Sequence, residues 1–535
     1  MSLELTRRKA LGSAAVAAAM LGLRITSEAQ AQETQVPATP VALGPATPPE
    51  ADVATDWFTE NKNFAMDRNA SDSAINSSNV GDLAVAWHYA LDAAGGYGMI
   101  TMNPLVSNGV VYIQDMANNV HAVDFATGEQ IWRTDFNTTT VGPNGLSIGY
   151  GIVAAGLGDP AEVVALDAAT GAELWRTDLS ANMGEGIDMA PLIFDNTVYV
   201  STVPGNTNVF YRGGQKGIFY ALDITSGHTI WQWDTTTDNL WGNARVNSGG
   251  GLWHPPAVDA DGHLYLGVAN AAPYPGNTEF PNATSRMGDN DYANSLVKLN
   301  PVTGSVDWYI NIKPHDLFDL DNQLSPMLAT ATIDGAERGV VISSGKHGIV
   351  VCADQETGEE IWRTPVGVHE NDDLQEVPEG ETVTVFPGTL GGVETPMAVA
   401  DGVVYAPVLN LGTDYSATSL VGFDFTGGSG EMVALDLATG EQIWSAEISV
   451  GPYGAATVAS DVVFTAGLDG VVRGFNTADG SQIWTWQTTG INAPIGVVGD
   501  TMLIPAGGLF IPGADTTETD EANQVPGVYA LRLPS

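Results

Sequence analysis

One short stretch of the chain, residues 314–321, holds residue types that favour chemistry. Its last seven residues include three carboxylates and one imidazole. Asp319 and Asp321 are two positions apart, so on an extended segment their side chains would share one face. Two carboxylates on one face could hold a metal ion or a proton. An acidic loop in solvent is the alternative interpretation of the same residues.

The chain is strongly acidic. Its 535 residues include 63 Asp and Glu against 19 Lys and Arg, which gives a formal net charge of -44. Such a surface repels nucleic acid and anionic membranes, so neither is an expected partner. We interpret the charge as an adaptation to high salt, in which screening shortens like-charge repulsion. An acidic surface for a cationic partner is the alternative.

A single cysteine, Cys352, limits the redox chemistry of the chain. It excludes an intrachain disulfide and a Cys-x-x-Cys-His haem attachment site. If this protein moves electrons, the next carrier is an external electron acceptor.

The N-terminal segment predicts export. A basic run at residues 6–9 precedes a small, apolar run at 10–23, and residues 29–31 fit a signal-peptidase cleavage site. The paired Arg7 and Arg8 indicate a twin-arginine signal over residues 1–31, and thus a periplasmic or extracellular protein. A membrane anchor is the alternative, but the apolar run is too short to span, and no membrane span is expected in the mature chain. Residues 32–51 predict a flexible leader and residues 52–535 the folded part.

A repeat organises the rest of the chain. An apolar strand is followed by Asp or Asn, by a turn usually of the form x-x-Thr-Gly, and by a Trp eight residues after the Asp or Asn. The Asx side chain accepts hydrogen bonds from the turn, Gly takes the positive φ, and Trp buries its ring against the next unit. The seven pairs are Asp124 with Trp132, Asp167 with Trp175, Asp223 with Trp231, Asn300 with Trp308, Asp354 with Trp362, Asp436 with Trp444 and Asn476 with Trp484.

These repeats predict an all-β fold, an eight-bladed β-propeller. Short strands recur without a helical pattern between them. Trp87 ends a unit that lacks its earlier part, and residues 528–533 resemble the missing strand. Pairing of these two ends would make the eighth blade and close the ring. An open β-solenoid is the alternative.

Two intervals between the Trp residues are long. Trp231 and Trp308 are 77 residues apart, and Trp362 and Trp444 are 82 apart. Because function in repeat folds usually lies in insertions, we expect the site to draw on these two segments. Residues 314–321 follow directly after the first.

The repeat resembles the tryptophan-docking motif of quinoprotein alcohol dehydrogenases, over roughly residues 55–535. The family consists of eight-bladed propellers that bind pyrroloquinoline quinone (PQQ) with Ca²⁺ or a lanthanide on the central axis. The repeat alone implies only the fold, because non-catalytic relatives share it.

The resemblance also implies roles for individual residues. Trp253, at the end of the Gly-rich run 248–253, is similar to the Trp that stacks beneath the quinone. Asn270 is similar to a metal-ligating Asn. Asp319 occupies the position of the catalytic base and a metal ligand, and Asp321 that of an extra ligand that accompanies lanthanide use in some members. Lys346 aligns with the cation that hydrogen-bonds the quinone oxygens.

The chain also departs from the family pattern. The region 98–102 lacks the family's adjacent cysteines, Phe318 replaces a Trp, and Arg212 stands where the family has a metal-ligating Glu. A cation cannot ligate Ca²⁺, so we assign Arg212 to a cofactor carboxylate instead. Glu394 could project toward the axis and restore a carboxylate.

We therefore expect an exported, PQQ-dependent dehydrogenase-like protein that oxidises an alcohol or sugar hydroxyl. The resemblance implies that Asp319 takes the proton of the hydroxyl as hydride passes to the quinone. A non-enzymatic propeller that acts as a binding or assembly scaffold is the alternative.

Overall fold

Strands make up almost all of the regular structure of this protein. The computed structural model describes residues 56–140, 142–180, 184–205, 211–424, 428–509, 511 and 524–534. The predicted signal peptide and leader lie outside these residues. Three short 3-10 segments, at Val80–Asp82, Leu240–Gly242 and Pro281–Ala283, are the helical elements of the described part. No helix within that part is long and apolar enough to cross a membrane.

Eight sheets of four or five strands follow one another in the described residues, which confirms the predicted number of blades. Adjacent strands within each blade are antiparallel, apart from one added parallel strand in blade 7.

The blades are numbered here in chain order by their first complete hairpin. Blade 1 comprises β3 (Leu105–Ser107), β4 (Val110–Gln114), β5 (Val120–Asp124) and β6 (Gln130–Thr134). Blade 2 comprises β7 (Leu146–Gly149), β8 (Ile152–Leu157), β9 (Glu162–Asp167) and β10 (Glu173–Asp178). Blade 3 comprises β11 (Leu192–Phe194), β12 (Thr197–Ser201), β13 (Ile218–Asp223) and β14 (Thr229–Asp234). Blade 4 comprises β16 (Ala257–Val258), β17 (Leu264–Val268), β19 (Ser295–Leu299) and β20 (Val306–Asn311).

The second half of the chain repeats this arrangement. Blade 5 comprises β21 (Met327–Ile333), β22 (Ala336–Ser343), β23 (Ile349–Asp354) and β24 (Glu360–Pro365). Blade 6 comprises β26 (Ala398–Ala400), β27 (Val403–Asn410), β30 (Ser429–Asp436) and β31 (Gln442–Ile448). Blade 7 comprises β32 (Thr457–Ala459), β33 (Val462–Ala466), β34 (Val471–Asn476) and β35 (Gln482–Gln487), with β1 (Asn69–Ala70) parallel to β32. Blade 8 comprises β36 (Gly496–Val498), β37 (Thr501–Ala506), β38 (Gly527–Arg532) and β2 (Ala84–Ala90).

Blade 8 joins the two ends of the folded chain, as predicted. Strand β2 pairs antiparallel with β38, and Trp87 lies opposite Ala530. Strand β38 is thereby hydrogen-bonded on both sides, so the last strand of the chain is not a free edge.

The tryptophans connect neighbouring blades. The Trp362 indole N–H donates to Leu437 O at 2.9 Å, and the ring lies against Gly440 of the next Thr-Gly turn, where a Cβ would be 2.5 Å from Cε3. The turn itself is held by Asp436 Oδ1, which accepts from the backbone N–H of Thr439 at 2.9 Å. The same Trp-on-Gly contact recurs at six other junctions: Trp87 with Gly128, Trp132 with Gly171, Trp175 with Gly227, Trp231 with Gly304, Trp308 with Gly358 and Trp444 with Gly480. The predicted packing of the ring against the next unit is confirmed at these junctions, with Trp231 and Trp308 partly buried and the other five rings buried.

The two long insertions form small sheets of their own. The first carries β15 (Ser248–Gly249) paired with β18 (Ala271–Ala272). The second carries β25 (Val383–Val385), β28 (Thr413–Ser416) and β29 (Ser419–Phe423). Both insertions contribute side chains to the cluster around Asp319 that is described below.

Candidate functional site

The segment 314–321 folds around Asp316. Its Oδ1 accepts from the backbone N–H of Phe318 and its Oδ2 from that of Leu320, both at 2.9 Å. The neighbouring Asp319 has φ +61°, a left-handed backbone that is uncommon outside glycine. Asp316 is therefore a structural residue that bends the chain and directs Asp319 away from the apolar side chains on either side of it.

Contacts from both insertions fix this bend. Phe318 is 1% exposed, and its ring centroid lies 5.0 Å from that of Tyr415. The Tyr415 hydroxyl donates to Phe318 O at 2.5 Å. Buried Arg286 donates to Asp316 O at 2.6 Å. The phenylalanine at the position where the family has Trp thus serves as a packing residue.

Asp319, Asp321, Asn270 and Lys346 converge at one buried point. Lys346 Nζ lies 3.2 Å from Asp319 Oδ2 and 2.5 Å from Asp321 Oδ2. Asn270 donates its side-chain amide to Asp319 Oδ1 at 2.8 Å and its backbone N–H to Asp321 Oδ1 at 2.6 Å. The structure therefore brings together four of the six predicted site residues, and the two carboxylates share one side of their segment.

Each oxygen of the carboxylate pair has a polar hydrogen donor or a cation beside it. Asn270 donates a hydrogen bond to each Oδ1 atom, and the Lys346 ammonium lies beside both Oδ2 atoms. The Thr389 hydroxyl also donates to Asp319 Oδ2. Buried carboxylates need such partners because each unpaired charge away from water is costly.

Burial and charge set the proton affinities of this cluster. Burial, assisted by Asp321, raises the pKa of Asp319 to about 7, although Lys346 opposes the rise. Burial by itself would lower the pKa of Lys346, but Asp319 and Asp321 outweigh it and raise that pKa well above its usual value. A carboxylate that ionises near neutral pH beside a permanent cation is suited to accept a proton.

Within the first insertion, the glycine run 248–253 passes close to Asn270. The Asn270 carbonyl accepts from Gly250 N at 2.9 Å. Gly249 has φ +148°, and a Cβ there would lie 2.7 Å from that same carbonyl oxygen. Only glycine allows this approach, as expected for the run that leads to Trp253.

Trp253 lies on a neighbouring part of the interior. A Cβ on Gly142 would meet its ring at 2.3 Å, and Gly142 N donates to Asp188 Oδ1 at 3.0 Å. The indole N–H of Trp253 is buried without a hydrogen-bond partner among the described residues. Burial raises the pKa of Tyr97 to about 12; Lys346 opposes the rise, and the charges of Asp188 and Asp319 add to it.

Two further tyrosines lie beside the carboxylates. The Tyr211 hydroxyl is 3.5 Å from Asn270 Oδ1, and its ring makes an edge contact with Tyr274 at 5.5 Å. Burial raises the pKa of each well above its usual value, and the charges of Asp319 and Asp321 add to the rise. Both remain neutral hydroxyls at physiological pH.

Glu394 also belongs to this region. Gln323 Nε2 donates to Glu394 Oε2 at 3.2 Å, and Gln323 Oε1 accepts from the backbone N–H of Lys346 at 3.1 Å. Burial raises the pKa of Glu394 to about 8, with Lys346 opposing and Asp321 and Asp319 adding to the rise. The suggestion that Glu394 brings a carboxylate toward the site is consistent with these contacts.

Arg212 does not join the cluster. Its side chain is exposed, and its backbone N–H donates to Gln215 Oε1 at 2.8 Å. The preceding residue, Tyr211, turns inward instead. His315 is also peripheral, with its Nδ1 3.0 Å from Gly288 O at the surface. The assignment of Arg212 to a cofactor carboxylate stays a prediction that no contact of the described residues supports.

The donor set fits a hard cation in type. Asp319, Asp321 and Asn270 offer carboxylate and amide oxygens, which Ca²⁺ and similar ions prefer. Within the described part of the chain, no group of three carboxylate, imidazole or thiol side chains is gathered to hold a metal ion. Two carboxylates and one amide are thus the protein ligands available here, with a lysine ammonium beside them.

Several contact residues carry no signal in the sequence. Tyr415 and Gln323 lie in no repeat and no Gly-rich run, and Thr389, although it lies between Gly388 and Gly391, belongs to no repeat; single Thr, Tyr and Gln residues are common in loops. Tyr211 adjoins Arg212 in the sequence, so only the backbone direction of the loop distinguishes the inward side chain from the outward one.

Comparison with known families gives two matches. A family model described as glucose/ethanol/alcohol dehydrogenase, beta-propeller domain, matches residues 57–155 and 183–384, which together make up more than half of the chain. A model of the outer membrane protein assembly factor BamB matches residues 346–515.

Individual relatives have low sequence identity to this chain, but the matches extend over most of its length. The quinohemoprotein alcohol dehydrogenase of Comamonas testosteroni is 27% identical over 82% of this chain and 70% of its own length. The lanthanide-dependent methanol dehydrogenase of Methylorubrum extorquens is 24% identical over 90% of this chain and 88% of its own.

Solved structures share the architecture. The Comamonas testosteroni enzyme superposes with a TM-score of 0.74 at 25% identity, covering 90% of this chain and 80% of that one. A europium-containing methanol dehydrogenase has a TM-score of 0.75 at 20% identity, covering 90% and 98%, which supports the fold alone.

Proposed function

The chain belongs to the glucose/ethanol/alcohol dehydrogenase family of β-propellers, and we propose on this basis that it is a PQQ-dependent oxidoreductase acting on an alcohol or sugar hydroxyl. The observation that carries the proposal is the buried cluster in which Asp319 contacts Asn270, Lys346 and Thr389. A carboxyl with a pKa of about 7 in this setting is a suitable acceptor for a hydroxyl proton.

The residues present fit PQQ and a hard cation. When bound, these groups supply a two-electron acceptor and a Lewis acid. Asn270, Asp319 and Asp321 would hold the cation through oxygen atoms. Trp253 would offer its ring to the flat cofactor, and Lys346 would offer its ammonium to the cofactor oxygens.

Asp319 is the proposed catalytic base. Asn270 holds its Oδ1 at 2.8 Å, and Lys346 and Thr389 lie at its Oδ2. These contacts fix the carboxylate so that little reorganisation is needed when it accepts a proton. Tyr211 lies beside Asn270, and Tyr274 packs against Tyr211.

Export and electron transfer complete the proposal. The Arg7–Arg8 pair and the apolar run 10–23 support twin-arginine export to the periplasm or beyond. Because the chain has one cysteine, electrons would leave to an external acceptor.

Reconstitution tests this function directly. The purified chain is incubated with PQQ and either Ca²⁺ or La³⁺ in high salt, and dye reduction is followed with a panel of alcohols and sugars. We expect dye reduction that requires PQQ. Failure of PQQ to bind with either metal would contradict the proposal.

A non-catalytic scaffold is the second candidate. The match of residues 346–515 to an assembly factor and the exposed Arg212 in place of a ligand favour it. The same experiment separates the two, since a scaffold would neither bind PQQ nor reduce dye.

A further inference from the structure

Lys346 occupies a position that the proposed cation would also need. Its Nζ lies 2.5 Å from Asp321 Oδ2 and 3.2 Å from Asp319 Oδ2. Among the described residues, it is the only side-chain cation within ion-pair distance of either carboxylate. The ammonium and a metal ion would therefore both interact with the lone pairs of these two carboxylate oxygens.

The Oδ1 atoms of Asp319 and Asp321 are less available to a metal ion than their Oδ2 atoms. Both Oδ1 atoms already accept from Asn270, at 2.6 and 2.8 Å. The Asn270 backbone is itself fixed, because its carbonyl accepts from Gly250 at 2.9 Å. A cation that binds both carboxylates must thus displace the Lys346 ammonium, or remain close to it and be repelled.

The Lys346 side chain can leave while its backbone stays in place. Its backbone N–H donates to Gln323 Oε1 at 3.1 Å, which anchors the main chain. The four-carbon stem has rotatable bonds that let the ammonium swing. Glu394, whose Oε2 accepts from Gln323 Nε2 at 3.2 Å, lies in the same region, since Gln323 also holds the Lys346 backbone.

We propose that Lys346 and the catalytic cation compete for the Asp319–Asp321 pair, so that loading of the cation releases the lysine ammonium from Asp321. Before the metal ion binds, the Lys346 ammonium balances the negative charge of the two buried carboxylates. After the metal ion binds, the ammonium is available to the cofactor. This inference rests on the proposed function for the identity of the cation, but its test needs neither PQQ nor turnover.

Isothermal titration calorimetry of La³⁺ and Ca²⁺ into the PQQ-free full chain tests the competition. Lys346→Met removes the ammonium and retains an unbranched stem. We expect it to bind La³⁺ at least about tenfold more tightly than the wild type, since a positive charge beside the ligands is gone. Lys346→Arg keeps the charge and should leave the affinity low.

Lys298→Met is the matched control. Lys298 is also a buried lysine, but it donates to Gln355 O at 2.9 Å and lies over the Tyr265 ring, away from the carboxylate pair. Its removal should not change the affinity for La³⁺. Equal affinity in wild type and Lys346→Met, or no binding to Lys346→Met, would overturn the proposal.

A second measurement applies if Lys346→Met does not fold. The sequence contains six lysines, so wild-type protein labelled at lysine Cε gives a simple NMR spectrum. We expect the Lys346 resonance to shift as La³⁺ binds, while that of Lys298 does not. A Lys346 resonance that stays unchanged through saturation would overturn the competition.

The outcomes also separate this inference from the proposed function. Tighter metal binding by Lys346→Met together with no PQQ-dependent dye reduction would support the competition and contradict the dehydrogenase. Dye reduction by the wild type together with unchanged metal affinity in Lys346→Met would support the dehydrogenase and contradict the competition.

Discussion

At the scale of single residues, the two carboxylates of segment 314–321 that reach the cluster differ in their surroundings. Asp319 adopts φ +61° and contacts Thr389 and Asn270 as well as Lys346. Asp321 is fully buried and held mainly by Lys346 and the backbone of Asn270. Asp319 is therefore the better candidate for proton transfer, and Asp321 for a fixed charge.

Replacement of Asp319 tests its role as base. In the reconstituted protein, Asp319→Asn should lower the rate of dye reduction about 10²- to 10⁴-fold, because the amide cannot accept the proton. Asp334→Asn, at an exposed turn, is the control and should retain the wild-type rate. An Asp319→Asn rate within tenfold of the wild type would argue against this residue.

The sequence indicated some of these residues but not their partners. Asn270, Asp319, Asp321 and Lys346 could be chosen because each sits in a segment that resembles a family motif, and they converge. Thr389 and Tyr211 could not, because their contacts depend on how a long insertion folds back over the blades. Arg212 was placed at the site by alignment, yet its loop directs the side chain to solvent. The functional roles of all these residues stay predictions.

At the scale of elements, the seven Trp-on-Gly junctions of the described residues hold neighbouring blades together. They were predictable because the Asx turn, the positive-φ glycine and the Trp are local features with a fixed spacing. The small sheets β15–β18 and β25–β28–β29 were not, since the short strands of these two long insertions carry no periodic pattern.

Gly440→Ala tests the contribution of one junction. Gly440 has φ +71°, and the added Cβ would lie 2.5 Å from Trp362 Cε3. Gly402→Ala is the matched control, with φ +77° but no atom within 4 Å of the added Cβ. Both changes cost about 1 kcal/mol of backbone strain, and Gly440→Ala should lose about 1–3 kcal/mol more through overpacking.

Urea unfolding of the two glycine variants measures the difference. The midpoint for Gly440→Ala should fall well below that for Gly402→Ala. Equal midpoints would mean that the ring shifts without cost and that the junction is not tightly packed.

A cluster of charged side chains links the loop after blade 5 to Lys313. His369 Nδ1 lies 3.1 Å from Asp372 Oδ2, and Lys313 Nζ lies 3.3 Å from the same oxygen. The hydrogen bond to Asp372 is the main cause that raises the pKa of His369, while burial and Lys313 oppose the rise.

This shift predicts a pH-dependent contribution to stability. A histidine whose pKa is higher in the folded state stabilises the fold below its unfolded pKa of 6.5, and the contribution is lost as the pH rises through the folded value. The wild type should therefore exceed His369→Gln in unfolding free energy by about 1 kcal/mol or less at about pH 5.5, with a smaller difference at about pH 8.5. Chemical unfolding at the two pH values measures it, and a difference that grows with pH would contradict the assignment.

At the scale of the whole molecule, the net charge of -44 dominates. Without screening, these like charges repel one another across the eight blades and favour expansion. The number of blades was predictable because seven units share the same turn and Trp, and because Trp87 and residues 528–533 supply the parts of an eighth. Adaptation to salt was inferred from composition and stays a prediction.

Thermal unfolding at two salt concentrations tests that inference. The melting temperature should rise by several degrees between about 0.15 M and about 2 M KCl, because screening reduces the repulsion. The increase should shrink in acid, where the carboxylates are protonated. A melting temperature that is insensitive to KCl would contradict adaptation to high salt.

The central claim, that the Asp319 cluster forms part of a PQQ site, is tested most directly by binding stoichiometry. The purified chain is titrated with PQQ in the presence of Ca²⁺ or La³⁺, followed by gel filtration and by quinone and metal analysis. The account predicts one PQQ and one metal ion retained per chain in the wild type, with loss of the metal in Asp321→Asn. A wild-type chain that retains neither would contradict it.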